Sequence, residues 1–368
     1  MNSRPHLVSV LAAGISCLAS PLFAATEATT DPVGFVTHTV AGGGSVASPR
    51  LSLISPTLTR PIEWQGVIKT ITTTSTTTTI TVQGNPWANN QFSGANGSYF
   101  VELAPASNPG AISDITATAA GTSPTTDSSI TTSDNLTGFG AIGDTIKIRK
   151  HVTIADLFGA NNSAGLLSSD EAGNADEVLI YDGAQPASYF YYKVSPTGSD
   201  PSDGWYDSGF LLGSGLAAQV AISPHQGVVI KRKVGGQVSF TSSGAVKTGN
   251  TLLPVVNGLN VLGTVSAKGI TLGTSGLFTD NPATGLKSSD EAGTADELTI
   301  YTPTGQASYF YYKASPSTNT PGDGWYDSGF LLGDGVAANV AITPGSSFVL
   351  SRKGGPAFNW ALPSPTSF

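Results

Sequence analysis

After Pro32 the chain runs Val33-Gly34-Phe35-Val36-Thr37-His38-Thr39-Val40. These letters are mainly β-branched or aromatic, which predicts a strand with proline at its start. Residues 62–71 and 80–82 flank the threonine run 72–79, broken only by Ser75, and predict a hairpin with a polar tip. Residues 99–103 and 145–150 read as further strands between turn clusters such as Asn85-Pro86-Trp87. The stretch 108–133, rich in Ser, Thr, Ala and Gly, reads as a weakly ordered excursion. One short helix is expected between Thr153, a capping residue, and Gly159, a terminating one. Residues 177–181 and 188–193 predict a strand pair across Asp182-Gly183-Ala184-Gln185-Pro186, and 227–233 predict another strand.

The pattern then repeats. Gly204-Trp205-Tyr206-Asp207-Ser208-Gly209-Phe210-Leu211-Leu212-Gly213 returns letter for letter at 324–333. The same offset carries Ser168-Ser169-Asp170-Glu171-Ala172-Gly173 onto 288–293 and Ala187-Ser188-Tyr189-Phe190-Tyr191-Tyr192-Lys193 onto 307–313. Two copies this similar should fold alike. The segment 234–269 between them is too apolar for a free linker and is expected to pack against one or both copies. Many short strands separated by Gly, Pro, Asn and Asp turns indicate sandwiches or barrels. The expected fold is mostly β: an N-terminal β region (25–150), then two tandem β-sandwich or barrel-like repeats, 151–268 with the connecting segment and 269–368.

Composition adds the cell compartment. Arg4, the apolar run 7–18 and Leu22-Phe23-Ala24-Ala25 have the layout of a secretory signal peptide over residues 1–24. Export is therefore expected: extracellular, cell-surface or periplasmic. The single cysteine, Cys17, lies inside that leader, so a mature chain would hold no disulfide. No second apolar run approaches the length of a transmembrane helix. The chain has 25 acidic against 17 basic residues, an imbalance that repels phosphate backbones and makes nucleic acid an unsuitable partner. Charged residues are only 11% of the chain, so hydroxyls carry much of the solvent contact.

Asp31-Pro32-Val33-Gly34-Phe35 after an export signal, the run Gly42-Gly43-Gly44 and strands ending in Arg-Lys resemble a paralogous family of exported verrucomicrobial proteins. The resemblance implies export. It carries no catalytic residues, because that family has no established activity to transfer.

Three candidate chemistries stand out. Asp170, Glu171 and Asp176, repeated as Asp290, Glu291 and Asp296, could supply oxygens to a hard cation such as calcium. They lack the alternating spacing of a calcium loop, and turn formation explains them as well. Tyr189 and Tyr191, with Trp205 and Tyr206, recur as Tyr309, Tyr311, Trp325 and Tyr326. Alternate residues of a strand face opposite ways, so one set of rings fills a core. The other either stacks on sugars of a polysaccharide or is buried in turn. Asp170, Glu171, Asp176 and Glu177 with their repeats, together with Asp203 and Asp207, could serve a glycosidase as acid and nucleophile, although nothing in the spacing tests it. Gly138-Phe139-Gly140-Ala141-Ile142-Gly143 spells a dinucleotide fingerprint, but a strand follows where a helix is needed. The pairs Arg149-Lys150, Arg232-Lys233 and Arg352-Lys353 read as strand-edge charges that discourage aggregation. His38, His151 and His225 are scattered, and the repeat partner of His225 is Gly345, so no role shared by both copies is expected. The chain is therefore expected to be an exported, non-enzymatic structural or adhesive protein with polysaccharide or other envelope partners. A carbohydrate-binding module pair and a secreted glycoside hydrolase are the alternatives.

Overall fold

The computed structural model describes residues 31–363 except 106–109, 123–125, 183–184, 194–201, 210–214, 303, 315–321 and 330–334. The expected leader with Cys17, and the ends of the duplicated stretches (210–213 and 330–333), lie outside the described residues. Among the described residues 48% are in strands and 3% in helix, so the fold is mostly β, as the sequence pattern predicts.

Two strands open the first repeat: β1 (Val33–Val40) and β2 (Arg50–Ile54). The chain then leaves for an inserted barrel of β3 (Ile62–Thr73), β4 (Thr78–Val82), β5 (Tyr99–Ala104), β6 (Gly110–Ala119), β7 (Ser128–Thr132) and β8 (Thr145–Lys150). The sheet closes in the order β6-β5-β8-β3-β4-β7 and back to β6. Ile68, Ile80, Leu103, Ile130, Ile146 and Ile148 fill its interior. The alternating outward positions of β3 and β4 carry threonines, and Thr70 and Thr81 face each other at 2.6 Å. The threonine run therefore forms a hairpin as expected. The stretch expected to be weakly ordered supplies two barrel strands instead, β6 and β7. Their composition misled because the apolar positions are sparse, with Ile115 and Ile130 facing inward among small polar letters.

The chain returns through β9 (Val152–Thr153) and the expected helix, α1 (Ile154–Phe158), capped by reciprocal bonds between Thr153 and Asp156. β10 (Glu177–Asp182) and β11 (Gln185–Tyr192) form the expected hairpin, followed by β12 (Gly204–Asp207), β13 (Ala221–Ile222), β14 (Val228–Arg232) and β15 (Val238–Ala245). The second repeat consists of β16 (Thr251–Val255), β17 (Gly258–Gly263), β18 (Ile270–Thr271), a 3-10 turn, β19 (Glu297–Thr302), β20 (Gly305–Tyr312), β21 (Gly324–Asp327), β22 (Ala341–Ile342), β23 (Ser347–Arg352) and β24 (Phe358–Leu362).

Pairing crosses the boundaries expected from sequence. β2 completes the five-stranded sheet β12-β11-β10-β14-β2, and its counterpart is β17 in β17-β23-β19-β20-β21. The ladder β1–β15 pairs His38 with Phe240, and β16–β24 pairs Leu253 with Trp360 in the matching register. The segment expected to connect the copies is thus the last strand of one and the first two of the other. Each repeat buries its own core beneath one face of its sheet. The opposite faces meet through Leu53, Leu179, Val229 and Val261.

That meeting is two-fold in character. Ser55 N–H donates to Gly345 O at 3.0 Å, while Gly263 N–H donates to His225 O at 2.9 Å. The bridges Ile54–Ser346 and Leu262–Gln226 are related in the same way. Equivalent surfaces meet reciprocally, the arrangement of an isologous dimer written in one chain.

Candidate functional site

Both layers of duplicated rings are interior. Trp205 is 1% and Trp325 4% exposed, each at the centre of its repeat's core. Tyr191 meets Trp205 edge-on at 5.4 Å and Tyr311 meets Trp325 at 5.7 Å. Trp205 Nε1 donates to Gly159 O at 2.8 Å. On the other face Phe190, Tyr192 and Tyr206 form a satellite cluster with Ala172 and Ala175, repeated around Tyr326. Tyr206 and Tyr326 donate to Ser202 O and Gly322 O. Tyr189, Tyr309 and Tyr311 are half-buried against the cores. The alternative in which the rings fill two buried layers is the one observed. Burial, with Asp207 nearby, pushes the Tyr189 phenol up.

The duplicated acids divide. Asp176 is 1% exposed; it is ion-paired to Arg232 and accepts from Leu167 N at 2.7 Å and Lys233 N at 2.8 Å. Asp296 repeats this with Arg352 at 2.8 Å and with the amides of Lys287 and Lys353 at 2.9 and 2.7 Å. These carboxylates pin the 170s and 290s loops onto the end of a sheet. Asp170 and Glu171 lie exposed on the same loop, as do Asp290 and Glu291. Asp170 takes a bond from Ser169, and Glu171 one from Asn174. Among the described residues no group of three or more His, Cys, Asp or Glu is placed to hold a metal. Asp207 accepts from Gly209 N at 2.8 Å, which shapes the turn after β12.

The basic pairs are not strand-edge charges. β14 and β8 are central strands, and Arg232, Arg352 and Arg149 are buried in ion pairs. Arg149 meets Glu102 at 3.3 Å and also pairs with Asp31, while Lys247 reaches Glu102 at 2.6 Å. This bridge ties the barrel to both ends of the first repeat. Burial raises the Glu102 carboxyl, but Lys247 and Arg149 outweigh it and hold Glu102 below its ordinary value.

The structure also gathers a group that the sequence left scattered. A cleft of about 470 Å³ opens between barrel and tandem body, lined by Asp114 and Asp134 from the barrel, Ser223 and His225 from the first repeat, and Pro254 and Asn359 from the second. Buried His151 meets Asp114 at 2.9 Å through Nε2. Ser113 and Ser133 donate to Asp134 Oδ2 at 2.6 and 2.9 Å. Burial pushes the His225 imidazole down to about 4, so it is neutral near pH 7. Its Nδ1 has no partner among the described residues. Sequence reasoning set His225 aside because its repeat partner is glycine. That asymmetry was the available signal, since of the two equivalent positions only His225 lines the cleft.

No family model, curated protein or solved structure matches this chain. Its function is therefore argued from geometry. The chemistry common to both repeats is structural: edge-on rings, a guanidinium on a buried carboxylate, and turns closed by Asp207 and Asp327. The chemistry unique to one place is the acid-and-imidazole cleft.

Proposed function

We propose that this chain is an exported structural or adhesive component of the cell surface, without a catalytic role for its duplicated residues. The observation that carries the reading is that the letters repeated most faithfully are those that hold shape. Trp205 and Trp325 centre the cores, and Asp176–Arg232 and Asp296–Arg352 lock the loops. Duplication of a rigid body, joined face to face, supports a scaffold whose geometry must be maintained outside the cell. The threonine-covered barrel projecting from the first repeat is a hydroxyl-rich surface suited to envelope polymers. Fractionation tests the proposal. In the producing cells the tagged chain is expected in the envelope fraction or the medium, and a deletion strain is expected to show altered sensitivity to detergent. Retention in the cytoplasmic fraction, or a deletion strain with an unaltered envelope, would sink the reading.

A further inference from the structure

We propose that the cleft between the barrel and the tandem body is a binding site for a small neutral saccharide. Its walls come from three stretches distant in sequence: strand β6 and the segment after β7, the loop before β14, and the β16–β24 ladder, which pairs with β6 through β16. At about 470 Å³ it falls within the size range of small-molecule sites, roughly 300–1,000 Å³.

The lining selects the chemistry. It contains two carboxylates and no lysine or arginine, so phosphates and other anions are repelled. Asp134 uses Oδ2 for two serine hydroxyls, and Asp114 uses Oδ1 for His151. The second oxygen of each carboxylate takes no hydrogen bond from a described residue and is available to an incoming donor. Ser223 and the exposed side chain of Asn359 add groups that both donate and accept. The neutral His225 imidazole belongs to the same wall, with its unpartnered Nδ1 buried beneath the cleft surface. Phe139, Leu252 and Pro254 also line the cleft, with Pro254 the cross-strand neighbour of Asn359, and they offer an apolar surface for the C–H face of a sugar ring. A polyol is the ligand class whose hydroxyls donate to carboxylates, accept from an amide and leave a flat apolar face. An ammonium compound would satisfy the carboxylates alone and leave the amide and the apolar wall unused.

This inference goes beyond the surface role proposed above and does not use the duplicated aromatics. Isothermal titration of the full chain against glucose, galactose, mannose, N-acetylglucosamine, cellobiose and lactose tests it. At least one of these sugars is expected to bind. Asp134→Asn and Asn359→Ala are each expected to weaken it by about tenfold, the scale of a lost hydrogen bond to a charged or oriented group. Asn359 is exposed, so its truncation leaves the fold intact and keeps the test decisive. Tyr311→Phe, in the core of the second repeat, is expected to leave affinity unchanged. Failure of every sugar to bind, undiminished binding in both cleft variants, or binding of spermidine in place of sugars would overturn the proposal.

Discussion

Asp176 and Asp296 show how one carboxylate can organise a loop. Each accepts from two backbone amides and one guanidinium in a site closed to water. Replacing one by asparagine turns an acceptor toward donors and leaves a buried arginine without its counter-charge. Such losses cost about 3–5 kcal/mol. Asp176→Asn and Asp296→Asn are each expected to lower the urea midpoint by a similar amount, because the two sites are near copies. Histidine gives a prediction of pH dependence. His225 protonates at about 4 in the folded chain against 6.5 ordinarily. Between those values the unfolded chain binds a proton that the folded chain refuses, so stability falls as pH falls. Buried His38 is shifted in the same direction. Glu102, Glu177 and Glu297 lie below their ordinary value of 4.5, so their contribution is present above that pH and is lost only as pH drops further. Urea midpoints are thus expected to decline from pH 7 to pH 5, and less steeply in His225→Gln. A variant that keeps the full decline would assign it to other groups. None of this was legible from sequence, where an acid's partner and a histidine's burial depend on chain segments far away. The aromatic alternation was legible, because a strand must send successive rings to opposite faces.

Elements declared themselves where the apolar pattern was dense. The β3–β4 and β10–β11 hairpins, the capped turn of α1, and strands β8, β14 and β23 fall close to their expected places. Membership did not declare itself. β2 lies nearly a hundred residues upstream of β9 because the barrel interrupts the first repeat, and no local pattern announces that it pairs with β14. The loop between β1 and β2 holds the run Gly42-Gly43-Gly44, whose role is now physical. Gly43 adopts φ +86° and its N–H bonds Gly235 O at 3.1 Å. A Cβ on Gly44 would lie 1.9 Å from Arg232 O, a backbone atom that cannot yield cheaply. The loop passes over the end of β14 only because that atom is missing. Gly44→Ala is expected to destabilise the chain by about 1–3 kcal/mol, in the range of overpacked sites. Equilibrium unfolding measures it; an unchanged midpoint would mean that the loop can lift away from Arg232.

At the scale of the whole molecule, the two repeats meet about an approximate two-fold axis, and the closest approach falls at equivalent positions. Ser55 and Gly263 occupy the same place in their repeats, as do Gly227 and Ser347. In each pair one member is serine and the other glycine, so the axis tolerates one side chain and not two. A Cβ on Gly263 would lie 2.0 Å from Ser55 Oγ, and the Ser55 hydroxyl is itself buried without a partner among the described residues. Gly263→Ser is therefore expected to cost about 1–3 kcal/mol through overpacking. Ser55→Gly removes the orphan hydroxyl and opens the space, so the double variant Ser55→Gly, Gly263→Ser exchanges the members of the pair. Its stability is expected to recover most of the single-variant loss, giving a coupling energy of about 1–2 kcal/mol in a double-mutant cycle. Two additive effects would show that these residues do not share a space, and the face-to-face arrangement of the repeats would then need another basis.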